Sequence, residues 1–201
     1  MTDLVLIGDS MIDNGPYVVP GEPDVAAQVS ALMPGVQVEM RAVDGSRLDD
    51  VARALDARPV PEGARVFMTA GGNDALQQID LLTDPARLTF AEAMVKLKGI
   101  ATRFRGQYAA VLDRLAPASE VMVGTIYDPA FEGAEAALIP AASGALTAFN
   151  DAIQAEAVAR AMAVLEMRRV ICTPEACANP IEPSAVGGAQ IAAAVAAWAL
   201  A

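Results

Sequence analysis

Short apolar runs, each closed by turn residues and followed by a stretch of helical periodicity, recur along all 201 residues of the chain. The β-like runs are Leu4 to Ile7, Val36 to Val43, Arg65 to Ala70, Glu120 to Ile126 and Glu166 to Cys172. Between them apolar residues return with helical spacing over Asp24 to Leu32, Arg47 to Ala57, Phe90 to Leu115, Ala145 to Ala163 and Ala185 to Ala199. Strands that are apolar throughout need cover on both faces, so this alternation predicts a parallel sheet between two layers of helices. In open sheets of that kind ligands bind beyond the carboxyl ends of the strands, and the loops after the strands are where chemistry is sought. There is no internal repeat, and Pro16 to Pro23 and Pro129 to Gly144 read as loops rather than linkers, so one domain is expected over residues 1–201.

Composition narrows the partners. With 54% hydrophobic and 19% charged residues the chain is globular, and at this length it buries roughly 70% of the surface its unfolded form exposes. A net charge of -11 opposes binding to phosphate backbones, which excludes nucleic acid as a partner and favours a small neutral or cationic molecule. The run Ile191 to Ala201 is about half the roughly 20 residues that a membrane span requires, and no basic, apolar leader precedes Leu4, so a cytoplasmic protein without a membrane partner is expected. Two cysteines, Cys172 and Cys177, and no histidine cannot build a zinc site of the usual four N/S ligands. Two reduced thiols are expected, although their spacing would allow a local disulfide.

Four loops carry polar residues of chemical interest. Gly8-Asp9-Ser10 follows the first strand, Asp44-Gly45-Ser46 the second, and Gly71-Gly72-Asn73-Asp74 the third; Asn179-Pro180-Ile181-Glu182-Pro183-Ser184, with Gly187, precedes the last helix. Taken singly, each is weak, because Gly, Asn, Asp and Ser dominate turns and helix caps for conformational reasons. Taken in order, they resemble the sequence blocks of the SGNH (GDSL-type) hydrolases, whose fourth block has an Asp-x-x-His-Pro pattern. The resemblance spans almost the whole chain and includes Thr125-Ile126-Tyr127-Asp128 and Phe149-Asn150-Asp151-Ala152-Ile153. It implies a flavodoxin-like, three-layer α/β/α sandwich with a five-stranded parallel sheet. It also implies Ser10 as nucleophile, and an oxyanion hole made of the Ser10 backbone, the Gly45 N–H and the Asn73 amide. Donors fixed where negative charge develops are each worth about 3 to 4 kcal/mol in such reactions.

The fourth block departs from the family twice: in the register of Pro183 and Gly187, Glu182 stands where histidine belongs and Asn179 where aspartate belongs. A free glutamate has a pKa near 4.3 against about 6.5 for histidine, a handicap of about 3 kcal/mol as a base. Desolvation by Pro180, Ile181 and Pro183 would reduce it, and a neutral Asn179 avoids repelling Glu182 while offering N–H donors to orient it. Serine peptidases of the sedolisin family are similar in chemistry alone, pairing glutamate with serine. The leading expectation is therefore an esterase that acts on a small acyl ester without a cofactor, with Ser10, Glu182 and Asn179 in the catalytic roles. The alternative is an inactive SGNH-fold protein that binds a carbonyl or acyl ligand. A third idea gathers some of Asp9, Asp13, Asp44, Asp74 and Glu182 around a hard cation, but their spacing matches no metal motif. Asp9 and Asp74 read better as loop-stabilising acceptors of backbone N–H groups. Glu175 is a second choice for the base, outside the Pro/Gly register; Phe104, Tyr108, Met94 and Trp198 read as packing residues.

Overall fold

The computed structural model describes residues 4–83 and 88–201. Its five strands are β1 (Leu4–Gly8), β2 (Val38–Met40), β3 (Arg65–Thr69), β4 (Glu120–Gly124) and β5 (Ala163–Leu165), all parallel, in the spatial order β2-β1-β3-β4-β5. The helices are α1 (Val25–Leu32), α2 (Leu48–Ala57), α3 (Gly72–Leu76), α4 (Asp80–Thr83), α5 (Phe90–Asp113), α6 (Ile139–Ala159), α7 (Met167–Val170) and α8 (Ala185–Ala199).

Alternation along the strands divides the core in two. Val5, Ile7, Val66, Met68, Val121 and Val123 face α2, α5 and α6, whereas Leu4, Leu6, Phe67 and Met122 face α1, α7 and α8. This is the expected three-layer sandwich, with a continuous hydrophobic core on each side of one sheet. Among the described residues no helix is long and apolar enough to cross a membrane.

The last strand differs from expectation. Glu166 to Cys172 is not a strand: β5 is the preceding Ala163–Leu165, and the chain turns at Glu166 into α7. The Thr125 hydroxyl donates to the Glu166 carboxylate at 2.7 Å and accepts the Met167 N–H at 2.8 Å, and Arg168 folds back on Glu166 at 2.8 Å. Those polar bonds draw the backbone out of the sheet, which apolar content alone did not reveal. Helix α6 begins at Ile139, inside the stretch read as loop, because Pro140 fits the first helical turn, where no N–H is needed. The edge strand β2 is shorter than its apolar run, although Arg41 and Val43 still donate to Leu6 and Gly8 carbonyls at 2.8 and 3.0 Å.

The chain passes from β1 outward to β2 and then back across β1 to β3, so the order of strands reverses between β1 and β3. Crevices of this kind are where such sheets hold ligands. Gly8 ends β1 opposite Thr69 of β3, with φ +140°, and a Cβ there would lie 1.7 Å from the Thr69 carbonyl oxygen. Only glycine allows the two loops to start this close. Gly8→Ala is expected to cost about 2–6 kcal/mol from backbone strain and overpacking together, read as a fall in the urea midpoint at unchanged slope.

Candidate active site

Each loop brings one polar group to the crevice. Past Gly8 the chain turns sharply, with Ile12 and Asp13 N–H groups both donating to the Asp9 carbonyl at 3.0 Å, and this leaves Ser10 buried at 7% exposure. Past β3, Gly71 adopts φ +110° against the Phe104 ring, where a Cβ would approach to 2.7 Å, and Asn73 is carried into the first turn of α3. The Asn73 amide donates to the Ser46 carbonyl at 3.0 Å, tying the second and third loops together. Asp74 accepts the Leu48 N–H at 3.0 Å and so anchors α2 to the third loop.

Glu182 enters from the far end of the sequence. The residue is 6% exposed, its carboxylate faces the Ser10 side chain, and Oε2 is buried without a hydrogen-bond partner. Desolvation raises its pKa above the ordinary glutamate value, contact with Ser10 partly offsets this, and the charge of Asp44 adds to the rise. Glu175 is exposed and stands outside this constellation.

The loop that holds Glu182 is fixed by hydrogen bonds to its backbone. Asn179 differs from expectation in how it acts: its side-chain carbonyl accepts the N–H groups of Ile181 and Glu182 at 3.0 and 2.9 Å, so it shapes the turn rather than offering donors to the Glu182 carboxylate. Ala178 N–H donates to the Glu182 carbonyl at 2.8 Å, and Cys177 bridges Pro183. The Tyr127 hydroxyl donates to the Ile181 carbonyl, and Ala130 N–H to that of Pro180 at 2.7 Å, which joins this loop to the one after β4.

Two structural asparagines matter here that the loop motifs did not single out for this purpose. Asn14, fully buried, donates to the Pro183 carbonyl at 3.2 Å and accepts the Val25 N–H at 2.9 Å, locking the Glu182 loop onto the segment after Ser10 and onto α1. Asn150 holds both backbone groups of Ile126 at 2.8 Å and so fixes the loop after β4. Neither stands between apolar neighbours, Asn14 lying between Asp13 and Gly15 and Asn150 between Phe149 and Asp151, so apolar patterning carried no local signal for either role.

Ser10, Asn73, Glu182 and Asp9 line one end of a cavity of about 590 Å³ that continues between α3, α4, α5, α6 and the loop after β4. Gly45, with φ +75°, is exposed and lies outside that lining, as does Asn179. Phe104 and Tyr108 are core residues, stacked at 5.7 Å, and Trp198 packs beside α8's core face. Met94 is no core residue; it is 43% exposed and lines the cavity. Cys172 and Cys177 are both free thiols. Among the described residues, no three Asp, Glu, Cys or His side chains come together as a metal site, so the acidic residues considered for a cation do not converge on one.

Asp9 has its own electrostatic character. Its Oδ1 accepts the Met11 N–H at 3.2 Å and the Thr69 hydroxyl at 3.1 Å, yet burial outweighs both and, with the charge of Glu182 nearby, pushes the carboxyl up to about 7.

No model of a known protein family matches the sequence, and no curated protein matches it either. Solved structures do match. A member of the lipolytic G-D-S-L family from Veillonella parvula is 14% identical, with a TM-score of 0.71 over 100% of this chain and 98% of its own. An extracellular lipase from Streptomyces rimosus is 20% identical, with a TM-score of 0.66 over 98% of this chain and 100% of its own. An acetylxylan esterase from Geobacillus stearothermophilus is 21% identical, with a TM-score of 0.65 over 96% of this chain and 92% of its own. The chain has the fold of the SGNH (GDSL-type) hydrolases. At these identities the likeness carries the architecture and leaves the chemistry to the residues of this chain.

Two expectations follow from the geometry. Asn14→Ala leaves the Val25 N–H and the Pro183 carbonyl without their partner and should cost about 1–3 kcal/mol in urea unfolding. For Asp9, a raised folded-state pKa means that the folded chain holds the proton more tightly than the unfolded one. The stabilisation is fully present below the ordinary value of 3.8 and is lost as pH rises toward about 7. Asp9→Asn keeps an acceptor and removes the charge, so it should gain about 1–4 kcal/mol over the parent at high pH and little at low pH. Urea melts at both ends of that range check this; an equal stability at high pH would contradict it.

Proposed function

We propose that the protein is a serine ester hydrolase in which Ser10 attacks the carbonyl carbon of a neutral acyl ester and Glu182 takes the Ser10 proton. The observation that carries this reading is the buried Glu182 side chain, whose carboxylate faces the Ser10 side chain and whose Oε2 has no hydrogen-bond partner. A base must lie within reach of the proton it removes and hold it strongly enough near neutral pH, and desolvation moves Glu182 in that direction. The lipolytic and esterase names of the structures sharing this fold agree with the assignment.

In the acylation step the Ser10 Oγ bonds to the carbonyl carbon as its proton passes to Glu182. The oxyanion so formed is stabilised by the Asn73 amide, one of whose two N–H groups is left after the bond to Ser46, together with the backbone N–H of Ser10. Collapse of the intermediate expels the alcohol, which takes the proton from Glu182. Water then attacks the acyl-serine with Glu182 again as base, and the acid leaves with Ser10 restored. Asn179 is a positioning residue for Glu182, acting through the backbone turn. The acidic surroundings, with Asp9 and Asp44 both acting on nearby groups, suit a neutral ester and disfavour an anionic one.

Ser10→Ala is expected to abolish hydrolysis of p-nitrophenyl esters, and Glu182→Gln to lower kcat/KM by about 10²–10⁴-fold. The parent's rate should climb with pH through one acidic limb, set by Glu182 above the ordinary glutamate value of 4.5, because the ionised carboxylate is the active form. That limb should vanish in Glu182→Gln. Turnover indifferent to both substitutions would overturn the proposal. Absence of turnover, with carbonyl ligands still bound in an Asn73-dependent way, would instead identify an inactive binding protein.

A further inference from the structure

The polar residues of the cavity are gathered at its reactive end. Beyond Ser10, Asn73, Asp9 and Glu182, the only polar side chains among its described lining, apart from the Tyr127 hydroxyl already engaged by the Ile181 carbonyl, are Gln78 and Lys96. The remainder is aliphatic and aromatic, contributed mainly by the N-terminal halves of α5 and α6. Ion pairs between Arg105 and Glu156 and between Asp113 and Arg160, the residue that caps α6, join the C-terminal parts of the same two helices, away from the cavity. Phe90 and Met94, 80% and 43% exposed, bring apolar surface to the cavity at the start of α5.

Beyond the reactive end, a carbohydrate in such a space would find only Gln78 and Lys96 for its hydroxyl groups, and most of them would be desolvated without a partner. An unbranched hydrocarbon chain has no such groups and gains from burial along its length. The volume of about 590 Å³ falls within the range of ligand sites and far exceeds what an acetyl group needs. Resting on the ester-hydrolase reading above, we infer that the substrate is an aliphatic ester of medium or long acyl chain, with its carbonyl at Ser10 and its chain lying between α5 and α6.

Esters with p-nitrophenol as the common leaving group isolate the acyl side. From acetate through butyrate to octanoate, kcat/KM is expected to rise by about three- to four-fold for each methylene buried, the factor that corresponds to about 0.8 kcal/mol per CH₂. Ala93→Phe on α5 and Ala145→Phe on α6 each fill the cavity from a different helix and should lower the octanoate-to-acetate ratio at least tenfold. Circular dichroism confirms folding, and either folded variant suffices. Binding of octan-1-ol measured by calorimetry reports on the cavity without turnover and should weaken in the same variants. Ser10-dependent turnover that is flat or falling with chain length overturns the acyl-chain assignment while leaving the esterase reading intact. No turnover of any ester, with octan-1-ol binding that the phenylalanines block, overturns the esterase reading and keeps the cavity as an aliphatic-chain site. Absence of both overturns both.

Discussion

The meeting of β1 and β3 at the reversal of strand order is the constraint on which the rest of the site depends. Gly8 and Thr69 stand side by side with no room for a Cβ, so the loops that carry Ser10 and Asn73 emerge from nearly the same point. The Thr69 hydroxyl then reaches across to Asp9, which fixes the first loop against the strand beside it. The fold supplies the crevice, and this contact sets what stands at its edge.

Glu182 arrives by a different route. It belongs to no strand, and its position is the sum of several modest bonds to the backbone of its loop: the Asn179 turn, the Cys177 bridge to Pro183, the Tyr127 and Ala130 links to the loop after β4, and the Asn14 clamp. Each is small by itself, but together they fix the backbone from which the Glu182 side chain projects toward Ser10. A neutral acceptor at Asn179 is coherent with this arrangement, since the turn takes two backbone N–H groups there and an amide adds no charge beside Glu182.

Much of the architecture was legible because periodicity reports burial directly. The parallel sheet, the long helices and the loops that end at Ser10, Asn73 and Glu182 all follow from apolar spacing and turn residues. What escaped was decided by polar side chains acting at a distance in sequence. Thr125 and Glu166 end the sheet at Leu165, where the apolar run alone suggests that a strand begins. Asn179 has the chemistry to donate or accept, and only the folded loop shows that it accepts. Met94 fits a helical apolar stripe as well as any core residue, yet its face of α5 meets a cavity instead of a neighbouring helix. Asn14 joins segments 169 residues apart, a separation no local pattern encodes.

The unpartnered Oε2 of Glu182 sets this carboxyl apart from the paired glutamates of the chain. Glu39, Glu156 and Glu166 are each paired with arginine and held below the ordinary glutamate value, whereas Glu182 has no cation beside it among the described residues and burial moves it the other way. In a chain that carries a net charge of -11, this acid is thus kept apart from the arginines that quiet the other three.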